Sequence, residues 1–139
     1  MKSRPSLGTL LIRPALTVRI RIQAEIEAAG FDDFRITHQN VFAFLTSEGI
    51  RIGDLATRAQ LSKQAMTELV GYLEARGYVA RSRDAADGRA WLVRRTERGE
   101  ALHKVAQRAL RATEREWSGA LGKSDFQRLL DLLARLPAG

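Results

Sequence analysis

Cysteine is absent from the 139-residue sequence, which also contains only two histidines and three prolines. The absence of cysteine excludes disulfide bridges and thiolate ligands for zinc. The histidines, His38 and His103, lie far apart, and neither a His-Glu-x-x-His cluster nor a glycine-rich phosphate loop occurs. The sequence therefore predicts a protein that is not an enzyme and that holds no metal or cofactor.

Long apolar runs are also missing, so we expect no membrane span. The apolar stretch near the N-terminus is interrupted by Arg13 and Pro14 and continues into charged helical sequence, which argues against a signal peptide. Together with the absence of cysteine, these features predict a cytoplasmic protein.

Positive charge is abundant, since 23 lysines and arginines stand against 16 acidic residues and give a net charge of +7. This balance predicts attraction to nucleic acid first and to anionic membranes second. A solvated basic surface without a partner is the alternative. The length and the 45% content of hydrophobic residues predict one globular domain with its own core.

A first helix is predicted from about Leu7 to Ala29, ended by Gly30, with a kink or a late start at Pro14. It carries two apolar stripes, of which one suffices for the chain's own core. The second stripe therefore predicts a second subunit. The first stripe is Leu7, Leu11, Val18, Ile22 and Ile26, and the second is Ile12, Leu16 and Ile20.

Three further helices are predicted in the middle of the chain. Thr37 is the expected N-cap of the second helix, and residues 52–59 form a short third helix. Ser62 is the expected N-cap of a fourth helix that runs to about Arg76 and ends at Gly77. The inward residues expected on the second helix are Val41, Phe42, Phe44 and Leu45, and those on the fourth are Met66, Leu69, Val70 and Leu73.

A β-hairpin is predicted next, because residues 78–83 and 89–94 are rich in β-forming side chains and residues 84–88 favour a turn. Thr96 is then expected to cap a long fifth helix reaching about Leu121. After a break at Gly122, Ser124 and Gln127 predict a capping box for the last helix. The predicted fold is mainly α with a small β-hairpin.

Helices followed by a basic hairpin in this order are typical of a winged helix-turn-helix. Its recognition helix, the fourth, lies in the DNA major groove and presents polar side chains to base edges and phosphates. Gln64 could contact adenine and Lys63 a phosphate; a solvated helix face is the alternative. The residues expected to contact DNA from this helix are Ser62, Lys63, Gln64, Thr67 and Glu68.

The hairpin supplies the second set of predicted DNA contacts. Residues 78–98 hold six arginines against three acids, and arginine suits phosphates and narrow minor grooves. Arg81 and Arg83 are candidate contacts, and Arg89 beside the tip is the expected minor-groove residue. Asp87 is expected to orient Arg89 through an ion pair. A charged hairpin that only keeps an edge strand soluble is the alternative.

An effector pocket is also expected, with His38 and Phe42 as candidate lining residues. For His38 the competing interpretation is a solvated residue at the start of a helix, and for Phe42 it is core packing. His103 is expected at the surface of the fifth helix.

Five segments together resemble the MarR (multiple antibiotic resistance regulator) family. The most specific part is the Asp87-Gly88-Arg89 wing motif followed by Thr96-x-x-Gly99, in combination with the preceding helices. The segments lie at 52–56, 61–67, 73–79, 84–90 and 96–99, so the resemblance spans nearly the whole chain.

The resemblance implies an obligate homodimer formed through the N- and C-terminal helices and bound to a pseudo-palindromic operator. It matches Arg89 to the family's minor-groove arginine. It also implies release of DNA when a small, often aromatic, molecule binds between the dimerisation and DNA-binding regions. Two residues depart from the family pattern: Gly88 replaces a larger residue at the wing tip, and Arg95 replaces the usual leucine, which puts the packing of the wing in question.

We therefore expect a single MarR-like domain over residues 1–139, with a DNA-binding unit at 37–95 and dimerisation helices at 1–30 and 96–139. The predicted function is a sequence-specific transcriptional regulator, expected to repress, whose partner is double-stranded DNA. The alternatives are a winged-helix interaction module or a non-specific DNA-binding protein. An anionic-membrane binder ranks last, because the first helix has no aromatic residue.

Overall fold

The structure is a computed structural model that describes residues 2–138, in which six helices and three strands surround one core. The helices are α1 (Leu7–Ala28), α2 (Gln39–Phe42), α3 (Ile52–Ala59), α4 (Lys63–Ala75), α5 (Glu97–Leu121) and α6 (Lys123–Ala134). The strands are β1 (Ile50–Arg51), β2 (Val79–Arg83) and β3 (Trp91–Arg95). Within the described residues, no helix is both long enough and apolar enough to cross a bilayer.

Helix α1 begins at Leu7, where the Ser6 side chain accepts a hydrogen bond from the Thr9 backbone amide. The helix continues through Pro14, so the expected late start there is wrong. Gly30 follows the helix with φ of 94°, a left-handed conformation that glycine adopts without steric cost. The predicted C-terminal boundary is confirmed.

The entry to α2 differs from the prediction, because a 3₁₀ turn at Ile36–His38 replaces an N-cap at Thr37. The His38 Nδ1 accepts the Arg35 backbone N–H at 2.8 Å, so an imidazole closes this turn instead of a hydroxyl. His38 is only 4% exposed, and the solvated position considered for it is wrong. Phe44 lies beyond the end of α2 and is exposed, so its expected inward position is also wrong.

The helix-turn-helix formed by α3 and α4 confirms the sequence prediction. Gln60 ends α3 in a left-handed conformation, which turns the chain sharply toward α4. The Ser62 hydroxyl then accepts the Ala65 backbone N–H at 3.1 Å and caps α4. The fully buried residues on the inner face of α4 are Met66, Val70 and Leu73.

The wing is a three-stranded antiparallel sheet in the order β1-β3-β2, not a two-stranded hairpin. The additional strand, β1, pairs Ile50 with Val93 and Arg51 with Leu92. Two residues are too few for a periodicity signal, so the sequence did not indicate β1. Its pairing attaches the wing directly to the chain that enters α3.

The wing packs closely on the start of α5. The Thr96 hydroxyl donates to the Gly77 carbonyl at 2.5 Å and accepts the Gly99 backbone N–H at 3.1 Å. The Thr96 amide donates to the Tyr78 carbonyl at 3.1 Å. A Cβ atom at Gly99 would lie 2.1 Å from that carbonyl oxygen, so only glycine fits.

Arg95, one of the two departures from the family pattern, strengthens this junction. Its side chain is 7% exposed. The Arg95 Nε donates to the Glu100 carboxylate at 2.9 Å, and Nη1 donates to the Leu45 carbonyl at 3.0 Å. Arg95 therefore joins the wing, the segment after α2 and the first turn of α5, which resolves the question about wing packing.

Helix α6 starts at Lys123 after Gly122, whose φ of 88° breaks the chain direction as predicted. The predicted capping box is wrong, because Gly122 is the N-cap and no side chain caps the helix. The Gln127 amide instead donates to the Asp131 carboxylate one turn later, at 3.4 Å.

Apolar side chains on the terminal helices remain uncovered in the single chain. Leu7 is 72% exposed and Ile20 is 59% exposed, whereas Ile26 on the same helix is fully buried. Leu121, the last residue of α5, is also exposed. The exposed large apolar residues of these helices are Leu7, Leu10, Leu11, Ile12, Leu16, Ile20, Leu121, Leu130, Leu132, Leu133 and Leu136.

Candidate nucleic-acid interface and ligand cavity

The N-terminal half of α4 presents one exposed polar face. All five residues predicted for DNA contact on this helix are exposed, while the apolar stripe on the opposite side is buried in the core. The Thr67 hydroxyl donates to the Lys63 carbonyl at 2.7 Å. This face consists of Ser62, Lys63, Gln64, Thr67 and Glu68.

The two arginines of β2 differ in environment. Arg81 is half-buried, and its Nε lies 3.2 Å from the Glu74 carboxylate of α4. Arg83 is exposed; its guanidinium carbon lies 4.1 Å from the Trp91 ring centroid and its Nη1 donates to the Gly88 carbonyl at 2.9 Å. Arg81 is therefore tied to the recognition helix, and Arg83 stiffens the wing.

Asp87 orders the wing tip through the backbone. Its Oδ1 accepts the Arg89 backbone N–H at 3.1 Å, and its Oδ2 lies 3.8 Å from Arg51 Nη2. The predicted ion pair between Asp87 and the Arg89 guanidinium is wrong, because the carboxylate holds the Arg89 amide and faces Arg51. Arg89 itself is exposed beside the tip.

Arg51 is a residue of this surface that sequence reasoning missed. Its Nη2 donates to Asp84 Oδ2 at 2.9 Å, and its Nε does so at 3.3 Å. The hydrogen bond from the Ala86 amide, and then that from Arg51, hold the pKa of Asp84 below its usual value. The same contact with Asp84 raises the pKa of Arg51.

A groove of about 360 Å³ separates the start of α3, the start of α4 and the wing. Three of the predicted DNA contacts, Lys63, Arg81 and Arg89, line it together with Arg51. Asp54 is the acidic residue of its lining. The fold thus concentrates positive charge between two elements that are distant in sequence, which suits a polyanion.

A polar network fixes the back of α4, away from that groove. The Asp33 carboxylate accepts hydrogen bonds from the Tyr78 hydroxyl and from Arg98, and the Tyr72 hydroxyl donates to the Asp33 carbonyl. Desolvation opposes ionisation of Asp33, yet the Tyr78 hydrogen bond and Arg98 lower its pKa overall. Burial and the Asp33 bond raise the pKa of Tyr78.

A second cavity, of about 250 Å³, lies between α1, the α2 region and α5. Phe42 lines it and also packs in the buried core, whereas His38 does not line it. The His38 ring stacks on Tyr72 with ring centroids 4.3 Å apart. His103, expected at the surface, is half-buried and lines this cavity. Its apolar lining includes Ile26, Phe34, Phe42, Leu102, Ala106 and Leu110.

Groups of three or more acidic or histidine side chains able to hold a metal ion do not occur between residues 2 and 138.

A helix-turn-helix, a three-stranded wing and a basic groove between them define a winged-helix DNA-binding protein of the transcription-regulator class. A family model described as the MarR family matches residues 34–90. The chain belongs to the MarR family of transcriptional regulators.

Relatives in sequence agree with this assignment. The chain is 30% identical over 135 residues to the transcriptional repressor Rv2887 of Mycobacterium tuberculosis, covering 91% of this chain and 92% of the repressor. It is 34% identical over 91 residues to the transcriptional activatory protein BadR of Rhodopseudomonas palustris, covering 65% of this chain and 52% of BadR. These relatives are transcriptional regulators.

Solved structures show the same fold. CouR from Rhodococcus jostii RHA1, bound to p-coumaroyl-CoA, matches with a TM-score of 0.75 and 25% identity, covering 92% of this chain and 89% of CouR. The Rv2887 complex with salicylic acid matches with a TM-score of 0.64 and 28% identity, covering 96% of this chain and 99% of Rv2887.

Proposed function

We propose that this protein binds a pseudo-palindromic operator as a homodimer and represses transcription from it. The observation that carries this proposal is the groove in which Lys63 at the start of α4 meets Arg81 and Arg89 of the wing. A recognition helix and a basic wing on one surface can contact a major groove and the backbone beside it.

The residues of this surface divide into two roles. Gln64 reads a base edge, with adenine as the partner that suits a carboxamide, and the Thr67 methyl group meets a thymine methyl. Ser62 and Glu68 flank this readout. Lys63, Arg81 and Arg83 contact phosphates, and Arg89 enters the minor groove. Asp87 holds the turn that presents Arg89.

The terminal helices, within residues 1–30 and 96–139, form the dimer interface in this proposal, and residues 37–95 form the DNA-binding unit. Support comes from the large apolar residues that α1 and α6 leave exposed, such as Ile12, Leu16 and Leu133. Exposed apolar surface of this extent usually marks a contact with another chain. A two-fold dimer would place two copies of α4 on successive turns of one DNA face.

The protein represses in the cytoplasm in this proposal. A small molecule that binds in the cavity of about 250 Å³ releases it from DNA and so relieves repression. CouR and Rv2887 have been solved with p-coumaroyl-CoA and salicylic acid, respectively. Phe42 lines the cavity. His38 does not line it but closes the turn before α2, the helix that carries Phe42. Rv2887 is named a repressor and BadR an activator, so repression is inferred from the relative that covers more of this chain.

Selection of bound sequences from a random duplex DNA pool tests this function. We expect an inverted repeat whose half-site centres are about one helical turn apart. Binding should weaken steeply as salt rises, because each phosphate contact releases counterions. Equal affinity for all duplexes would instead support a non-specific DNA-binding protein, and the absence of DNA binding would support a protein-docking module.

A further inference from the structure

Among the residues that the structure describes, no lysine, arginine, aspartate or glutamate lines the cavity between α1, the α2 region and α5. Among the described residues around it, the polar ones are Gln39, His103 and Gln107, and the others are apolar or alanine. An anion placed there would lose its water without gaining a cationic partner, which is strongly unfavourable.

The polar lining still offers hydrogen bonds. The Gln39 amide is engaged, since it donates to the Arg19 carbonyl at 3.0 Å and to Gln23 Oε1 at 3.3 Å. The side chains of His103 and Gln107 also line the cavity and are only partly buried. Two side chains that can both donate and accept are therefore available to a ligand.

One charged side chain near the cavity is already paired. The Arg95 guanidinium is held by Glu100 at 2.9 Å and by the carbonyl of Leu45, a lining residue. Burial, and then Arg95, lower the pKa of His103, while Glu100 opposes this shift. The lowered pKa favours the neutral imidazole, and no lysine or arginine of the described residues lines the cavity.

We propose that this cavity takes an uncharged aromatic molecule that carries a hydrogen-bonding group, and that it discriminates against the matching aromatic carboxylate. The proposal rests on the effector role given to the cavity above and assigns the class of effector. At about 250 Å³ the cavity exceeds the roughly 150 Å³ that holds benzene, so a ring with one polar substituent fits.

Salicylamide and salicylate provide a matched pair, because they share a ring and differ in charge at neutral pH. Isothermal titration calorimetry of the full-length protein at pH 7 should give at least about tenfold tighter binding of salicylamide. Ala106→Phe fills the cavity and should abolish this binding. Ala101→Phe, on the exposed side of α5, is the matched control and should leave the binding unchanged.

Gln107→Arg gives a second, independent test at a half-exposed position that tolerates a long side chain. Since it supplies the missing cation, it should reverse the preference in favour of salicylate. Thermal unfolding of each variant checks that the fold is retained.

Tighter binding of salicylate to the unaltered protein, blocked by Ala106→Phe, would overturn the ligand class and leave the effector site in place. Binding of neither molecule, or binding that Ala106→Phe does not affect, would overturn the cavity as a site for such a ligand. Binding of salicylamide without release of the selected operator would support the ligand class and contradict only the proposed release of DNA.

Discussion

Arg51 and Asp84 join the strand that enters the helix-turn-helix to the wing, through a hydrogen bond of 2.9 Å between Nη2 and Oδ2. Asp84 also accepts the Ala86 backbone N–H at 2.9 Å, so one carboxylate orders the wing turn and attaches it to β1. The position of Arg89 relative to α4 depends on this attachment. Arg51 is therefore a positioning residue as well as part of the basic groove.

The Asp84→Ala variant distinguishes a role of Asp84 in positioning the wing from a general effect of net charge on DNA binding. Removing an acid makes the protein more positive, which alone would tighten DNA binding. Because the variant also frees Arg51 and loosens the wing turn, we expect severalfold weaker binding to the selected operator in fluorescence anisotropy. Glu97→Ala, which removes an exposed acid outside the wing, is the charge-matched control. Tighter binding of Asp84→Ala than of this control would refute the positioning role.

Arg89→Ala tests the contact assigned to the wing tip. We expect a loss of operator binding of at least about 1 kcal/mol, together with a shallower dependence on salt. Arg94→Ala removes the same charge from an exposed position on β3 and should cost less. Equal losses in the two variants would mean that only the total charge of the wing matters.

Gly99→Ala tests the junction between the wing and α5. The new Cβ would lie 2.1 Å from the Tyr78 carbonyl oxygen, so we expect a loss of about 1–3 kcal/mol in the free energy of unfolding. Gly71→Ala in α4 is the matched control, since nothing lies within 4 Å of its Cβ, and it should stabilise by about 0.5–1 kcal/mol. Urea denaturation measures both values, and an unaffected Gly99→Ala would contradict the close packing.

His38 should make stability depend on pH. Burial, and then Arg76 and Arg35, lower its pKa below 6.5, while Asp33 opposes the shift. Below that pH the His38 imidazole binds a proton in the unfolded chain but remains unprotonated in the folded protein. The free energy of unfolding should therefore fall as pH drops from 7 toward 5. The lowered pKa of Asp33 acts separately, because its contribution is lost only as pH falls below 3.8.

Denaturation of a His38→Gln variant across this pH range gives the check. The variant should be less stable at pH 7, since the Arg35 amide loses its imidazole acceptor, but its stability should change less with pH. His103→Gln measures the share of the second histidine, whose pKa is also lowered. The same pH slope in His38→Gln and in the unaltered protein would rule out this role for His38.

The exposed apolar face of α1 should control the oligomeric state. Ile12→Glu combined with Ile20→Glu would place unpaired charges in the proposed interface, and we expect dimerisation to weaken by at least about tenfold. Sedimentation equilibrium measures this effect. Ala85→Glu, an exposed residue of the wing, is the control that should remain dimeric. A double variant that stays dimeric would exclude this face from the interface.

The helix-turn-helix and the strands of the wing were predictable because the residues that indicate them lie within or directly beside each element. Ser62 has the side chain of an N-cap, and Gly77 stands where α4 must end. The same local reasoning failed where a tertiary partner overrides it. Thr37 looks like a cap in sequence, but it caps no helix. The buried ring of His38, packed against Tyr72 and Phe34, instead accepts the Arg35 backbone N–H and closes a 3₁₀ turn there.

The candidate surface was predictable only in part. The exposed face of α4 followed from the spacing of its apolar stripe, whereas Arg51 became visible only after β1 had paired with β3. Likewise, nothing in the sequence distinguishes His103 from a solvated histidine. Its place beside the cavity depends on how α5 packs against the α2 region.

The hydrogen bond between the Thr96 hydroxyl and the Gly77 carbonyl connects the start of α5 to the end of the recognition helix α4, so that a movement of α5 would be passed on to α4. At 25 residues, α5 is about 37 Å long. A tilt of about 5° at its distal end displaces the other end by roughly 3 Å, close to the rise of one base pair. Because Thr96 is bonded to Gly77, just beyond the end of α4, small rotations between the subunits of the proposed dimer would change the register of α4 on DNA.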